Sequence, residues 1–117
     1  MDRADSPRFV IATHVKPGRD SDFERFMREV VVPAEAAVRP HQVGMWHLLR
    51  PSEDQPDGAS RAWIMSFHGP SSLDDWNLHP ILEEAYGAEA ARDHLAQFQD
   101  MVEGEQVVYA LSGEVEL

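Results

Sequence analysis

Residues 71–102 read SSLDDWNLHPILEEAYGAEAARDHLAQFQDMV, and how this stretch divides decides the fold. Ser71 or Ser72 is placed to cap a helix, because a serine oxygen accepts hydrogen bonds from amides that a first turn leaves unpaired. Asp74 and Asp75 then suit the positive end of the helix dipole. Pro80 biases His79 away from helical dihedrals, so a short helix ends at Asn77 or Leu78 and a new one starts with Pro80 near its first position. Gly87 marks a second break. Ala91, His94, Leu95, Phe98, Met101 and Val102 follow as one apolar helical stripe, closed by Gly104.

The runs on either side of this broken helix are strands. Residues 61–68 (RAWIMSFH) and 106–111 (QVVYAL) are short, rich in β-branched and aromatic side chains, and bounded by turn residues. Further toward the N-terminus, PSEDQPDGAS with its Pro56-Asp57-Gly58 turn links residues 61–68 to another strand, residues 43–50 (VGMWHLLR). Residues 9–15 (FVIATHV) form the first strand and stop at Lys16-Pro17-Gly18. Between them, Ser21 and Glu24 fit a capping box. Phe23, Phe26, Met27, Val30 and Val31 make one apolar face, and Pro33 is expected to kink or end that helix. Residues 1–7 read as a loose arm, 8–111 as a single domain, and 112–117 (SGEVEL) as a tail or added edge strand.

The order is β-α-β-β-α-β. This is an α+β, ferredoxin-like plan with a four-stranded antiparallel sheet and helices on one face. Side chains alternate along strands, so Phe9, Ile11, Thr13 and Val15 oppose Val10, Ala12 and His14, while Trp63, Met65 and Phe67 oppose Ile64, Ser66 and His68. Helices cover one side only. The other side is also apolar, which predicts a homodimer.

The charge balance excludes whole classes of partner. With 21 acidic and 10 basic residues the formal net charge is −11, and no Lys/Arg stripe reverses it, so nucleic acid is not an expected partner. The chain has no cysteine, which removes disulfides, thiol catalysis and cysteine-ligated metals and permits a cytoplasmic location. The six histidines show no HxH or HExxH spacing, so no metal is expected. No apolar run approaches about 18 residues, so neither a signal peptide nor a membrane span is expected. Glycine-rich phosphate loops and GxSxG elbows are also lacking.

The opening FVIATHVKPGRDSDFERFM, and a second half running strand, Ser-Ser-Leu-Asp-Asp-Trp, His-Pro, helix, strand, resemble the dimeric α/β-barrel superfamily. The nearest-looking branch is the antibiotic-biosynthesis-monooxygenase group. That resemblance implies a dimeric α/β barrel with a pocket between sheet and helices in each subunit. It also implies oxygenation of a quinol or an aromatic, polyketide-type small molecule with no cofactor. Haem-degrading members carry a Trp where Trp76 stands, and at their Asn and haem-binding His positions this chain has Thr13 and Tyr86. A phenolate ligates ferric iron, so haem stays as the alternative cofactor.

Cofactor-free oxygenation needs a dry apolar pocket, a base, and donors for the anion formed. The candidate catalytic residues are Trp76, His79, Tyr86 and His94, with Thr13, His47, Trp63, Phe67 and Asn77 as substrate contacts. A polyketide cyclase or isomerase would use the same set, and a non-catalytic, stress-related dimer would use it for binding alone. Each residue also has a structural role open to it: Trp76 and Tyr86 as core aromatics, His94 as a hydrogen-bonded histidine on an apolar stripe, and His79 as support for the Pro80 break.

Overall fold

A computed structural model describes residues 6–55, 61–69 and 72–117. Residues 1–5 of the expected arm, the Pro56-Asp57-Gly58 turn and the alternative cap Ser71 lie outside the described residues.

The chain runs β1 (Phe9–Thr13), α1 (Asp20–Phe26), a π-helical turn (Met27–Val31), α2 (Val32–Val38), a 3-10 turn (Pro40–Gln42), β2 (Trp46–Leu49) and β3 (Trp63–Phe67). A second 3-10 turn (Leu73–Trp76), α3 (Leu78–Tyr86), α4 (Ala88–Met101) and β4 (Val107–Ala110) complete it. The four strands lie in the order β2-β3-β1-β4, all neighbours antiparallel. This is the expected α+β plan with a four-stranded antiparallel sheet. Among the described residues no helix is long and apolar enough to cross a membrane.

Each strand is shorter than its apolar run. Val15 still pairs, but through one isolated bridge to Val102. Residues 43–45 turn rather than extend, with Gly44 at φ 82°. The tail after β4 is exposed and forms no strand among the described residues; the ladder ends where Leu111 N–H donates to Arg8 C=O.

Register sets the two faces. Phe9 pairs with Phe67 and Ala110, Ile11 with Met65 and Val108, and Trp46 with Phe67. These side chains face the helices, where Phe23, Phe26, Met27 and Val31 close the main core with Trp63, Met65, Phe67 and Met101. Phe23 is fully buried, a contribution of about 1.5–3 kcal/mol from its area alone. A second cluster, Ala34, Ile81, Leu82 and Ala91, joins the helices to one another. The opposite face carries Val10, Ala12, Ile64, His47, Leu49, Val107 and Tyr109, of which His47, Leu49, Val107 and Tyr109 are exposed.

Three local expectations are corrected. The first helix starts at Asp20 with Arg19 as its N-cap residue, and no side chain caps it. The supposed capping box does not form, and the Glu24 carboxylate pairs with Arg28 and Arg50 instead. The N-cap residue Arg19 bonds Asp22 at 2.8 Å and Asp100 at 3.0 Å. Pro33, in turn, does not end the helix. The preceding turn widens so that Val32 N–H donates to Met27 C=O, and the missing Pro33 donor is absorbed at the start of α2. A break does form, but at Asn77 and not at His79. Leu73–Trp76 is a 3-10 turn rather than an α-helix, its Ser72–Asp75 capping box intact. The helix α3 then starts at Leu78 because Asn77 caps it, so His79 and Pro80 both lie in its first turn.

Candidate functional site

A cavity of about 670 Å³ opens between the inner sheet face and the helices. Ile11, Met65, Phe67 and Val108 form its sheet side, Met27, Val31, Leu95 and Phe98 its helix side. Asp74, Asn77, His79, Gln99, Glu105 and Gln106 supply polar groups. The volume suits a small organic ligand.

Three aromatic rings shape one wall. Phe67 stacks on Trp46 with centroids 6.0 Å apart at 13°, and meets Trp76 at 4.8 Å in a tilted contact. Trp76 is placed by its local sequence. The Ser72–Asp75 box closes the turn, and buried Gln42 donates from Nε2 to the Asp75 carbonyl at 2.8 Å. Asn77 then restarts the helix, its Oδ1 accepting from His79 N–H at 3.2 Å. His79 projects at the cavity wall with Nε2 3.1 Å from the Glu83 carboxylate.

The chemically distinctive group is Glu35. It stands on α2 beyond the π turn, is 4% exposed, and lines the cavity. Trp46 Nε1–H donates to its Oε1 at 2.6 Å. Burial pushes this carboxyl above the ordinary carboxylate range; the Trp46 bond and the positive field of His41 oppose that shift without cancelling it. A carboxyl held this way in an aromatic cavity holds a proton more tightly than an exposed one, which suits it to proton transfer.

Met27, Glu35 and Trp46 also line a smaller groove of about 340 Å³, together with Val32, Val43 and Leu48. The Glu35–Trp46 pair is thus the partition between the cavity and this groove.

The expected site residues separate into three places. Trp76, Asn77, His79 and Phe67 line the cavity together. Tyr86 and His94 do not: the Tyr86 hydroxyl donates to Val30 C=O at 2.8 Å, its ring lies 5.1 Å from His94, and His94 sets its ring edge against Phe26. They join α3 and α4 to the π turn. Trp63 packs on Phe23 and donates to Asp20 Oδ1 at 2.9 Å, at a separate polar cavity lined by Arg25, Arg28, Arg50 and Arg61.

Thr13 is fully buried and accepts from Gln106 Nε2 at 2.8 Å. His47 belongs to the outer sheet face, paired with Ser66 and 5.2 Å from His68. Reading missed Glu35 and Trp46. Glu35 had a signal: it continues the apolar stripe Phe23, Phe26, Met27, Val30, Val31, Ala34, where a carboxylate is out of place.

Thr13 and Tyr86, the positions at which the resemblance would place haem contacts, do not line the cavity and are bonded to Gln106 and to Val30 C=O, so they do not fit that group there. Among the described residues no cluster of three or more His, Asp or Glu could hold a metal ion.

Fold and cavity define a small α+β, ferredoxin-like protein with a ligand-sized space between sheet and helices. No protein-family model matches the sequence, and no curated protein matches it. Among solved structures the chain is similar to a NIPSNAP-family protein from Agrobacterium tumefaciens, with 15% identity over 89% of this chain and 90% of that one and a TM-score of 0.46. A second Agrobacterium tumefaciens protein gives 13% identity, 89% and 91% coverage and a TM-score of 0.49. A hypothetical Arabidopsis thaliana protein gives 12%, 100% and 97% coverage, and 0.48. Similarity at this level says nothing of chemistry, which rests on the residues.

Proposed function

We propose that the chain is a cofactor-independent enzyme that removes a proton from a hydroxylated aromatic, quinol or polyketide-type molecule bound in this cavity. Glu35 is the base, and Trp46 tunes it. The observation that carries this reading is a buried carboxyl of raised proton affinity facing an aromatic space large enough for a substrate. Asn77, Gln99, Gln106 and His79 offer hydrogen bonds to the oxygen of the anion that forms.

In the oxygenase form of this reading, which the resemblance to antibiotic-biosynthesis monooxygenases favours, the electron-rich anion reduces O2. One oxygen atom goes to the substrate carbon and the other leaves as water with two substrate hydrogens. In the cyclase or isomerase form, Glu35 returns the proton to another atom of the same molecule. The working unit in either form is a homodimer, with the exposed apolar strand face (Leu49, Val107, Tyr109) buried against a second copy.

The test is O2 uptake and product analysis with quinols and anthrone-type compounds, run in air and under argon. Turnover only in air supports the oxygenase, turnover in both supports the cyclase or isomerase, and each should be lost in Glu35→Gln. Ligand binding without any turnover would leave a binding protein and overturn the enzymatic reading. Light scattering during size exclusion tests the dimer, which Tyr109→Lys should split.

A further inference from the structure

The wall of the cavity is one-sided in charge. Its ionisable members are Glu35, Asp74, Glu105 and His79, and among the described residues no Lys or Arg lines it. Six of the arginines stand elsewhere. Arg25, Arg28, Arg50 and Arg61 line the separate polar cavity, where Arg28 and Arg50 pair with Glu24 and Arg61 with Asp20, and Arg28 also borders the groove on the far side of Glu35. Arg39 is held by Glu84, and Arg19 by Asp22 and Asp100. The remaining polar groups of the wall, Asn77, Gln99 and Gln106, are uncharged. Four aromatic side chains, Trp46, Phe67, Trp76 and Phe98, also line it, and aromatic faces attract cations and repel anions.

We infer that this cavity sorts aromatic ligands by charge, admitting uncharged or amine-bearing molecules and refusing those that carry a carboxylate or phosphate, with Glu35 as the main discriminating residue. The inference rests on the reading that this cavity is the ligand site and adds the class of ligand. A buried carboxylate and a ligand anion at neighbouring positions repel, and among the described residues no guanidinium or ammonium lines the cavity to offset either one. The proposed chemistry obeys the same rule. When a neutral substrate gives its proton to the Glu35 carboxylate, the negative charge in the cavity is the same before and after. A substrate that enters as an anion would add one more. The substrate is therefore a molecule that enters without a carboxylate or a phosphate.

A matched series tests this: 1-naphthalenemethanol, 1-naphthylmethylamine and 1-naphthoate, titrated at pH 7.5 while following tryptophan fluorescence. Trp46 and Trp76 line the cavity and Trp63 lies outside it, so Trp63→Phe simplifies the signal. The alcohol and the amine should bind at least about ten-fold more tightly than the carboxylate, the equivalent of about 1.4 kcal/mol. In Glu35→Gln that gap should shrink by about three-fold or more, as expected when one nearby like charge is removed. If Glu35→Gln folds poorly, the exposed pair Asp74→Asn with Glu105→Gln should narrow the gap in the same direction. Carboxylate binding as tight as the alcohol overturns the charge rule and leaves the cavity reading standing. Failure of all three probes to bind overturns both.

Discussion

Two tryptophans in this molecule each donate an indole N–H to a carboxylate, and the two pairs behave in opposite ways. Trp63 donates to Asp20 at 2.9 Å, and Trp46 donates to Glu35 at 2.6 Å. Asp20 is partly exposed and also paired with Arg61. That bond is the main cause holding its carboxyl below the ordinary range, and Trp63 adds to it. Glu35 is buried with no guanidinium, and burial raises its proton affinity despite the indole. The donor is the same; the difference lies in whether a cation accompanies the carboxylate and whether water reaches it. One pair fastens α1 to β3. The other holds a carboxyl of raised proton affinity at a cavity wall.

The sharpest break of this comparison is functional. Glu35→Gln should lower turnover by about 10²–10⁴, the range for losing a general base, whereas Asp20→Asn should stay within about three-fold of wild type. Equal losses would mean the pairs are not different in kind. Stability should divide the other way. Trp63→Ala, which empties a fully packed site, should cost about 3–5 kcal/mol in urea unfolding. Trp46→Ala should cost less, about 1–2 kcal/mol, because that ring already borders open space and little new cavity is created.

A subtler change removes only the N–H. Trp46→Phe takes away a group that stabilises the Glu35 carboxylate, so the acidic limb of the pH–rate profile should move to higher pH. Trp63→Phe should leave that limb in place.

The smallest effect is on stability against pH, and its sign is opposite for the two acids. Glu35 binds its proton more tightly when folded, so the unfolded chain ionises first. Stability therefore falls as pH rises from the ordinary carboxyl range to the raised value, and Glu35→Gln should remove that decline. Asp20 binds its proton less tightly when folded. Its contribution, about 0.5 kcal/mol after solvent screening, is present above its ordinary value and lost as pH falls through the lowered one. Thermal unfolding of both variants between pH 3 and 8 would show whether the slopes diverge.

Much of the fold was legible because its signals are local. Short runs rich in β-branched and aromatic residues marked all four strands, and Gly87 marked the real interruption after α3. Strand ends ran long because pairing, not composition, stops them: Val15 keeps one bridge only, and residues 43–45 turn at Gly44. The misread capping box shows the limit of local rules. Ser21 and Glu24 have the right spacing, but Asp20 is engaged by Trp63 and Arg61 and Glu24 by Arg50, partners far along the chain. The site was half legible for the same reason. Trp76, Asn77 and His79 are adjacent and were placed together; Glu35 joins them only through the tertiary fold, after a proline that reads as a stop.

That proline and the π turn before it give the site an unusual dependence on chain length. Each residue added to or taken from an α-helix rotates everything beyond it by about 100°. The turn Met27–Val31 closes on a wider ring than the α turns around it, so the phase of α2 is set there. Deleting one residue within the turn would leave both helical halves intact and swing Glu35 more than a quarter turn away from Trp46. A single in-frame codon, gained or lost, is therefore enough to give this scaffold its buried acid or take it away, with every core side chain unchanged in identity.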